Sequence, residues 1–127
     1  MVKVVKFGGS SLADAEQFKK AASIITADEA RRFVVPSAPG KRSSGDTKVT
    51  DMLYQTYELV GAGKSADALL EDIKARYDEI IEGLGVSFTL DDEFKTISDK
   101  LKGGAGRDYA ASRGEYLNGR IDRKSVV

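Results

Sequence analysis

The first chemically suggestive residues of the chain are a lysine followed by two glycines and two serines. In residues 2–14, VKVVKFGGSSLAD, Lys6 stands two residues before Gly8. A glycine pair between a strand and a helix exposes backbone N–H groups, and the helix N-terminus adds about half a positive charge. The spacing indicates an anion site in which Lys6 and the N–H groups of Gly8, Gly9 and Ser10 hold phosphate. The alternative is a tight turn whose serines only cap the helix.

Two common phosphate-binding loops do not fit this sequence. A Walker loop needs G-x-x-x-x-G-K-[ST], and although Gly40 and Lys41 are present, Val35 and Arg42 stand where Gly and Ser or Thr are required. The chain also lacks G-x-G-x-x-G. We therefore expect neither a P-loop ATPase nor a Rossmann dinucleotide site.

Composition excludes several classes of function. The 127 residues carry 20 Lys and Arg and 20 Asp and Glu, with no Cys and no His. Balanced charge removes the long-range attraction that nucleic-acid and membrane binders use. Thiolate and imidazole metal sites and Ser-His or Cys-His triads are excluded. Because no apolar stretch fits a signal peptide or a membrane span, we expect a cytoplasmic protein with no nucleic-acid or membrane partner.

Apolar spacing predicts a βαβ start followed by a long helical stretch. Strands at residues 2–7 and 33–36 flank a helix at 13–26, so the strands should pair in parallel. Further helices should begin near residues 49, 66, 90 and 108. The expected N-terminal caps are Ser11 with Asp14, Ser65, Thr89 with Asp92, and Asp108.

The second half of the chain carries two more specific expectations. In the helix that starts near residue 66, the apolar stripe is predicted to be Leu69, Ile73, Tyr77, Ile80 and Ile81. Asp72 and Arg76 should then form an i,i+4 ion pair on the solvated face. In the last helix, Gly114 occupies a core-facing position, which suggests a close approach by backbone or ligand.

Four motifs together resemble a known family. In order along the chain, KFGGSS, VVPSAPGKR, VTDMLY and SRGEYLNGRI are similar to the N-terminal part of aspartate kinase, a member of the amino acid kinase family. The resemblance covers residues 1–121, whereas the tail at 122–127 does not resemble the family's continuation. It implies an α/β fold, the αβα sandwich of amino acid kinases, of which this chain would supply only an N-terminal fragment.

The resemblance also implies a reaction. Aspartate kinase transfers the γ-phosphoryl group of ATP to the β-carboxylate of L-aspartate, which gives 4-phospho-L-aspartate for lysine, threonine and methionine synthesis. A carboxylate nucleophile is already ionised at neutral pH, so the step needs positioning and charge stabilisation rather than a general base. Mg²⁺ is expected to enter with ATP. Because the family continues for several hundred residues, we expect the fragment alone to be inactive.

Residue roles follow from the same resemblance. Lys6 is the expected catalytic cation, and the turn after it is the expected nucleotide site. Ser37 and Thr50 are expected to line the aspartate pocket, and Glu115 to face the ammonium group of the substrate. Each has a plain alternative, since Ser37 could belong to a turn, Thr50 to an ordinary first helical turn, and Glu115 to a solvated helix face.

Other charged residues receive no catalytic role. Lys41 and Arg42 stand near the expected mouth of the active site and could attract ATP or a dicarboxylate, but solvated side chains are the simpler interpretation. Asp91, Asp92 and Glu93 are interpreted as the favourable acidic start of a helix. We expect no metal site on the chain itself.

Two alternatives to an aspartate kinase segment stay open. The first is a non-catalytic phosphate-binding or assembly module derived from an amino acid kinase. The second is a sister kinase that acts on glutamate or a nucleotide, although VTDMLY and SRGEYLNG argue against it. Because two strands alone are marginally stable, we also expect a homo-oligomer, formed by self-association or strand exchange through the open sheet edge.

Overall fold

A computed structural model describes the backbone of residues 1–126 and the side chains of residues 1–121. The first half contains β1 (Lys3–Phe7), a 3₁₀ helix (Gly9–Leu12), α1 (Ala15–Thr26) and β2 (Arg31–Pro36). Four helices follow, α2 (Val49–Gly61), α3 (Asp67–Leu84), α4 (Asp91–Lys102) and α5 (Arg107–Val126). The side chains of the tail predicted at 122–127 lie outside this description. In the described part, no helix combines the length and apolarity that crossing a membrane requires.

The βαβ start is confirmed. The strands pair in parallel, with Val5 opposite Val34 and Phe7 opposite Pro36. The ladder extends one step further, because the Ser37 N–H donates to the Phe7 carbonyl oxygen at 3.1 Å. Both strands therefore end at the same edge of the sheet, where the residues that follow them meet.

The sheet is covered on one face only. The side chains that alternate inward, such as those of Val5 and Val34, are partly buried. On the opposite face, Val4 is 67% exposed, Phe33 60% and Val35 47%. The α/β class is confirmed. Because parallel sheets normally bury both faces, the exposed face shows that one layer of the expected sandwich is not present among the described residues.

The first helix begins later than predicted. Ser11 lies in the 3₁₀ helix, and the cap of α1 is Asp14, whose Oδ1 accepts from the Gln17 N–H at 3.0 Å. The predicted capping box is therefore wrong in its Ser11 half. The short carboxylate of Asp14 takes the capping role because the extended backbone there directs its side chain toward the first turn.

Helix α3 carries a long apolar stripe, which differs from the predicted one at its first residue. Ile73, Tyr77 and Ile80 are buried as expected, while Leu70 rather than Leu69 is buried at the start of the stripe. Arg76 is also buried, with a relative exposure of 6%.

The expected pair of Asp72 and Arg76 is replaced by a different one. Arg76 lies 3.6 Å from the Asp46 carboxylate, and its guanidinium donates to backbone carbonyls of the loop before α2. Helical spacing alone could not reveal this arrangement, because the acceptors come from another part of the chain. A guanidinium can be buried where carbonyl oxygens satisfy its donors.

Helix α5 packs closely against the end of β2 through Gly114. A Cβ added at Gly114 would lie 2.5 Å from the Cβ of Ala38. The predicted close approach at this glycine is therefore confirmed. At Gly119, on the same helix, the nearest atom to an added Cβ is Pro36 Cγ at 3.8 Å, an ordinary contact distance.

We predict that Gly114→Ala destabilises the chain and that Gly119→Ala does not. The extra methyl at 114 has to displace Ala38, and overpacking of this kind costs about 1–3 kcal/mol. At 119 the same change adds helix propensity, which is worth up to about 1 kcal/mol. Urea unfolding of both variants measures the difference. Equal unfolding midpoints would contradict the close contact.

We also predict that the chain alone associates as its concentration rises, because the open sheet face is apolar. Phe33→Lys should shift the equilibrium toward monomer. Ile24→Lys, which replaces an apolar residue of α1 that is 47% exposed, serves as the control. Light scattering over a concentration series is the measurement. A folded monomer at every concentration would show that this face does not drive association.

Candidate functional site

A cavity of about 530 Å³ lies where the ends of β1 and β2 meet the starts of other elements. Its walls come from four parts of the chain: the turn after β1, the loop after β2, the first turn of α2 and one position on α5. The lining residues are Gly9, Ser10, Ser37, Ala38, Pro39, Gly40, Lys41, Lys48, Thr50 and Glu115. The cavity therefore has one wall of exposed backbone and another of charged and hydroxyl side chains.

The two loops of the cavity touch through their backbones. The Gly40 N–H donates to the Gly9 carbonyl oxygen at 2.8 Å. A Cβ at Gly40 would stand 2.6 Å from the Gly9 carbonyl carbon and 2.8 Å from the Ser10 nitrogen. Only glycine allows this approach, which brings the glycine turn and the loop after β2 together at one cavity.

A buried side chain of helix α5 donates a hydrogen bond to the loop after β2. Asn118 is fully buried, and its Nδ2 donates to the Ser37 carbonyl oxygen at 2.6 Å. Tyr77 of α3 donates its hydroxyl to the Gly114 carbonyl oxygen at 2.8 Å. These two contacts place Glu115, the residue after Gly114, at the cavity wall.

The N-terminus of α2 faces the same cavity. The Val49 N–H donates to the Pro39 carbonyl oxygen at 3.1 Å, which joins the start of the helix to the loop. Lys48 occupies the N-cap position without a side-chain cap, and Thr50 is the second residue of the helix. The positive end of the helix dipole and the Thr50 hydroxyl therefore contribute to a region suited to an anion.

A model of the amino acid kinase family matches residues 1–123. The chain belongs to this family. Aspartokinase 3 of Bacillus subtilis (strain 168) is 40% identical over 126 aligned positions, and the match covers 94% of this chain and 28% of the relative. The chain thus spans little more than a quarter of that protein.

Solved structures agree with the assignment. The crystal structure of Clostridium acetobutylicum aspartate kinase superposes with a TM-score of 0.93 at 46% identity, over 97% of this chain and 28% of that one. Aspartokinase III of E. coli, in complex with aspartate and ADP, gives a TM-score of 0.73 at 22% identity over 99% of this chain and 29% of that one, which supports the fold alone. The fold is therefore that of the N-terminal part of an amino acid kinase.

The structure brings five of the predicted site residues to one cavity. Gly9, Ser10, Ser37, Thr50 and Glu115 all line it, although they are spread over more than 100 positions of the chain. Their predicted roles stay predictions, since proximity alone assigns no chemistry.

Two other predicted site residues are placed differently. Lys6 and Gly8 do not belong to the cavity lining among the residues described. Lys6 alternates with Phe7 along β1 and lies on the exposed face of the sheet, paired in register with Val35. Its side chain thus stands on the open side of the strand that leads into the glycine turn.

Arg42 is exposed, as expected for a solvated side chain, and it is also paired. Its guanidinium forms an ion pair with Asp46 at 2.7 Å and with Glu79 of α3 at 3.3 Å. Hydrogen bonds from Arg42 hold the pKa of Asp46 well below its usual value. Lys41 is also exposed, and it lines the cavity. The two adjacent cations therefore differ in their contacts, since Arg42 pairs with acids and Lys41 lines the cavity.

Three residues that support the site were not predicted from the sequence. Lys48 lines the cavity, Arg76 holds the loop, and Asn118 holds the end of β2. A signal for Lys48 was its place directly before an apolar helix without a capping residue. Arg76 and Asn118 each look like ordinary polar helix residues, and only their tertiary acceptors distinguish them.

The acidic run at the start of α4 has the predicted structural role. Asp91, Asp92 and Glu93 occupy the first turn of that helix. Over the described residues, no group of three or more acidic side chains is arranged to hold a metal ion.

We predict that Tyr77→Phe lowers stability by about 1 kcal/mol, because a buried hydrogen bond is lost. Burial raises the pKa of Tyr77 well above its ordinary 10.0. The folded state therefore favours the neutral phenol, and this contribution is complete below pH 10 and lost as pH rises through the folded-state value.

The variant should flatten the alkaline loss of stability, measured by urea unfolding between pH 8 and the highest pH at which the protein refolds. Tyr116→Phe, at a residue that is 41% exposed, is the control. An unchanged slope for Tyr77→Phe would contradict the assigned burial of the phenol.

Proposed function

We propose that the chain is the N-terminal part of the catalytic domain of an aspartate kinase. The complete enzyme transfers the γ-phosphoryl group of ATP to the β-carboxylate of L-aspartate and forms 4-phospho-L-aspartate. The observation that carries the proposal is the single cavity that joins the glycine turn after β1 to Ser37, Thr50 and Glu115. The similarity to two proteins named as aspartate kinases supports the choice of substrate.

The side chains of the cavity suit an amino acid with an acidic side chain. Aspartate brings two carboxylates and one ammonium group. Glu115, the acidic residue among those described at the cavity, offers a carboxylate for the ammonium. Ser37 and Thr50 offer hydroxyl groups for a carboxylate, and the N-terminus of α2 adds favourable dipole charge.

The glycine turn suits the phosphates of ATP. Gly9 and Ser10 line the cavity, and β1 ends two residues before Gly9. In this proposal Lys6 is the cation that stabilises charge on the transferred group, with Gly8 in the turn that binds the nucleotide. The aspartate carboxylate needs no base, which agrees with a chain that has no His.

Magnesium belongs to this proposal as the partner of ATP. Mg²⁺ in phosphoryl-transfer sites is usually held by one or two carboxylates together with substrate phosphates. The single carboxylate among the described lining residues, Glu115, is assigned to the ammonium group of aspartate, so in this proposal the nucleotide phosphates carry the ion. When bound, the ion neutralises charge on the phosphates.

The proposed enzyme works in the cytoplasm, in the synthesis of lysine and related amino acids. The chain spans 28% of the length of the two aspartate kinases to which it is most directly compared. We therefore propose that the chain alone binds substrate groups without turning over, and that the remaining part of an aspartate kinase completes the site.

A chimera tests this function. The matched segment of Bacillus subtilis aspartokinase 3 is replaced by residues 1–126 of this chain, and acyl phosphate is trapped with hydroxylamine in the presence of ATP and L-aspartate. We expect product, and we expect Lys6→Ala and Glu115→Gln to reduce it by at least about 100-fold, as losses of transition-state charge stabilisation commonly do. Lys20→Ala, on the exposed face of α1, is the control.

Two outcomes would overturn the proposal. A folded chimera that forms no acyl phosphate would exclude a catalytic segment, and if it still bound polyphosphate, the binding-module alternative would replace it. Product from glutamate rather than aspartate would identify a sister kinase. Thermal unfolding of each variant separates loss of activity from loss of structure.

A further inference from the structure

Two lysines stand at the cavity, one at each end of a loop. Lys41 follows Gly40 and Lys48 precedes Val49, the first residue of α2. Both are exposed, and both line the cavity. Six residues separate them in sequence, so their separation in space depends on how the loop between them is folded.

One buried side chain holds both ends of this loop. Arg76 Nη2 donates to the Gly40 carbonyl oxygen at 2.7 Å, and its Nη1 donates to the Thr47 carbonyl oxygen at 2.6 Å. The first carbonyl belongs to the peptide group that continues into Lys41, and the second to the one that continues into Lys48. A single guanidinium therefore orients the backbone directly before each lysine.

The charge of Arg76 is offset within the loop. Its side chain is 6% exposed, and Nη2 lies 3.6 Å from Asp46 Oδ2. The same carboxylate accepts from the backbone N–H of Arg42 at 3.0 Å and from its Nε at 2.7 Å, which closes the loop on itself. Arg76 is thus engaged with the loop, which leaves Lys41 and Lys48 as the cations facing the cavity.

The cavity carries a local excess of positive charge. Lys41 and Lys48 outnumber the single described acid of the lining, Glu115, in a chain whose total formal charge is zero. The N-terminus of α2 adds to this excess. Such a local imbalance favours an anion at the cavity rather than at the rest of the surface.

We propose that Lys41 and Lys48 together bind an oxyanion of the substrates. Arg76 is then the positioning residue, because it holds the backbone before each lysine so that both side chains can reach the same anion. The oxyanion is a carboxylate of aspartate or a phosphate of ATP. This inference rests on the proposed function for the identity of the substrates, but the binding itself can be measured on the chain alone. Lysine cannot replace Arg76, because its single ammonium lacks the fork that reaches two carbonyls.

The test titrates the full 127-residue chain with L-aspartate and, separately, with tripolyphosphate, followed by amide chemical shifts at two salt concentrations. We expect Lys41→Gln/Lys48→Gln to weaken binding of one of these ligands by about 10-fold or more, as the loss of charge-assisted hydrogen bonds predicts. Its remaining binding should depend less on salt. Lys20→Gln/Lys64→Gln, which removes the same charge from exposed positions, should bind like the original chain.

Arg76→Gln and Arg76→Lys test the positioning role. Both should weaken the same ligand as the double lysine variant, and neither should weaken binding further when combined with it. A residue that only stabilises the fold would lower the unfolding midpoint without this dependence on the lysines. If Arg76→Gln does not fold, Arg76→Lys and the lysine variants still decide the question.

The two ligands distinguish the source of the oxyanion, since loss of aspartate binding identifies a carboxylate and loss of tripolyphosphate binding a phosphate. Absence of binding to both by the original chain, or equal binding by the lysine variant and its control, would overturn the inference. The acyl phosphate assay of the chimera is a separate measurement. An inactive chimera beside a chain that binds through these lysines would refute the proposed function and leave the inference standing.

Discussion

The architecture of the site depends on a backbone contact between two loops that are distant in sequence. Gly40 donates to Gly9, and neither side tolerates a Cβ without displacement of backbone, because an atom added at Gly40 would lie 2.6 Å from its neighbour. The parallel pairing of β1 and β2 delivers both loops to the same sheet edge. The contact then joins the two loops that follow these strands at one cavity.

A second layer of support comes from helix side chains that do not themselves line the cavity. Arg76 of α3 binds the loop after β2, and Asn118 of α5 binds Ser37. Burial lowers the pKa of Arg76, and the nearby Asp46 opposes this shift. Burying a guanidinium is unfavourable unless carbonyl oxygens and a counter-charge satisfy it. The buried Arg76 therefore indicates that its hydrogen bonds fix the conformation of the loop.

The two faces of the sheet are not covered equally. The helices pack on one face of the sheet, with Leu53, Tyr77 and Leu117 fully buried, while Val4 and Phe33 on the other face are exposed. A parallel sheet in an amino acid kinase is expected to be covered on both faces. The cavity also opens at the edge of this incomplete sheet.

Much of the fold and part of the site could be predicted from the sequence. Alternating Val and Phe, glycine punctuation and 3.6-residue spacing are local signals, and they located both strands, the five helices and the close approach at Gly114. Ser37, Thr50 and Glu115 were found through motifs that resemble a family, and the structure places them at one cavity. Their relation to one another was not readable from spacing, since it arises from parallel pairing and helix packing.

The tertiary structure alone decided which polar residues are internal. Arg76 was predicted to pair with Asp72 because an i,i+4 spacing is visible in the sequence, whereas its actual acceptors, Gly40 and Thr47, lie about 30 positions away. Arg42 and Lys41 are adjacent and both cationic, yet Arg42 forms an ion pair with Asp46 and Lys41 lines the cavity. The amino-acid sequence determined local conformation because neighbouring atoms control it. The partners of buried charges were decided by long-range packing, which no local pattern records.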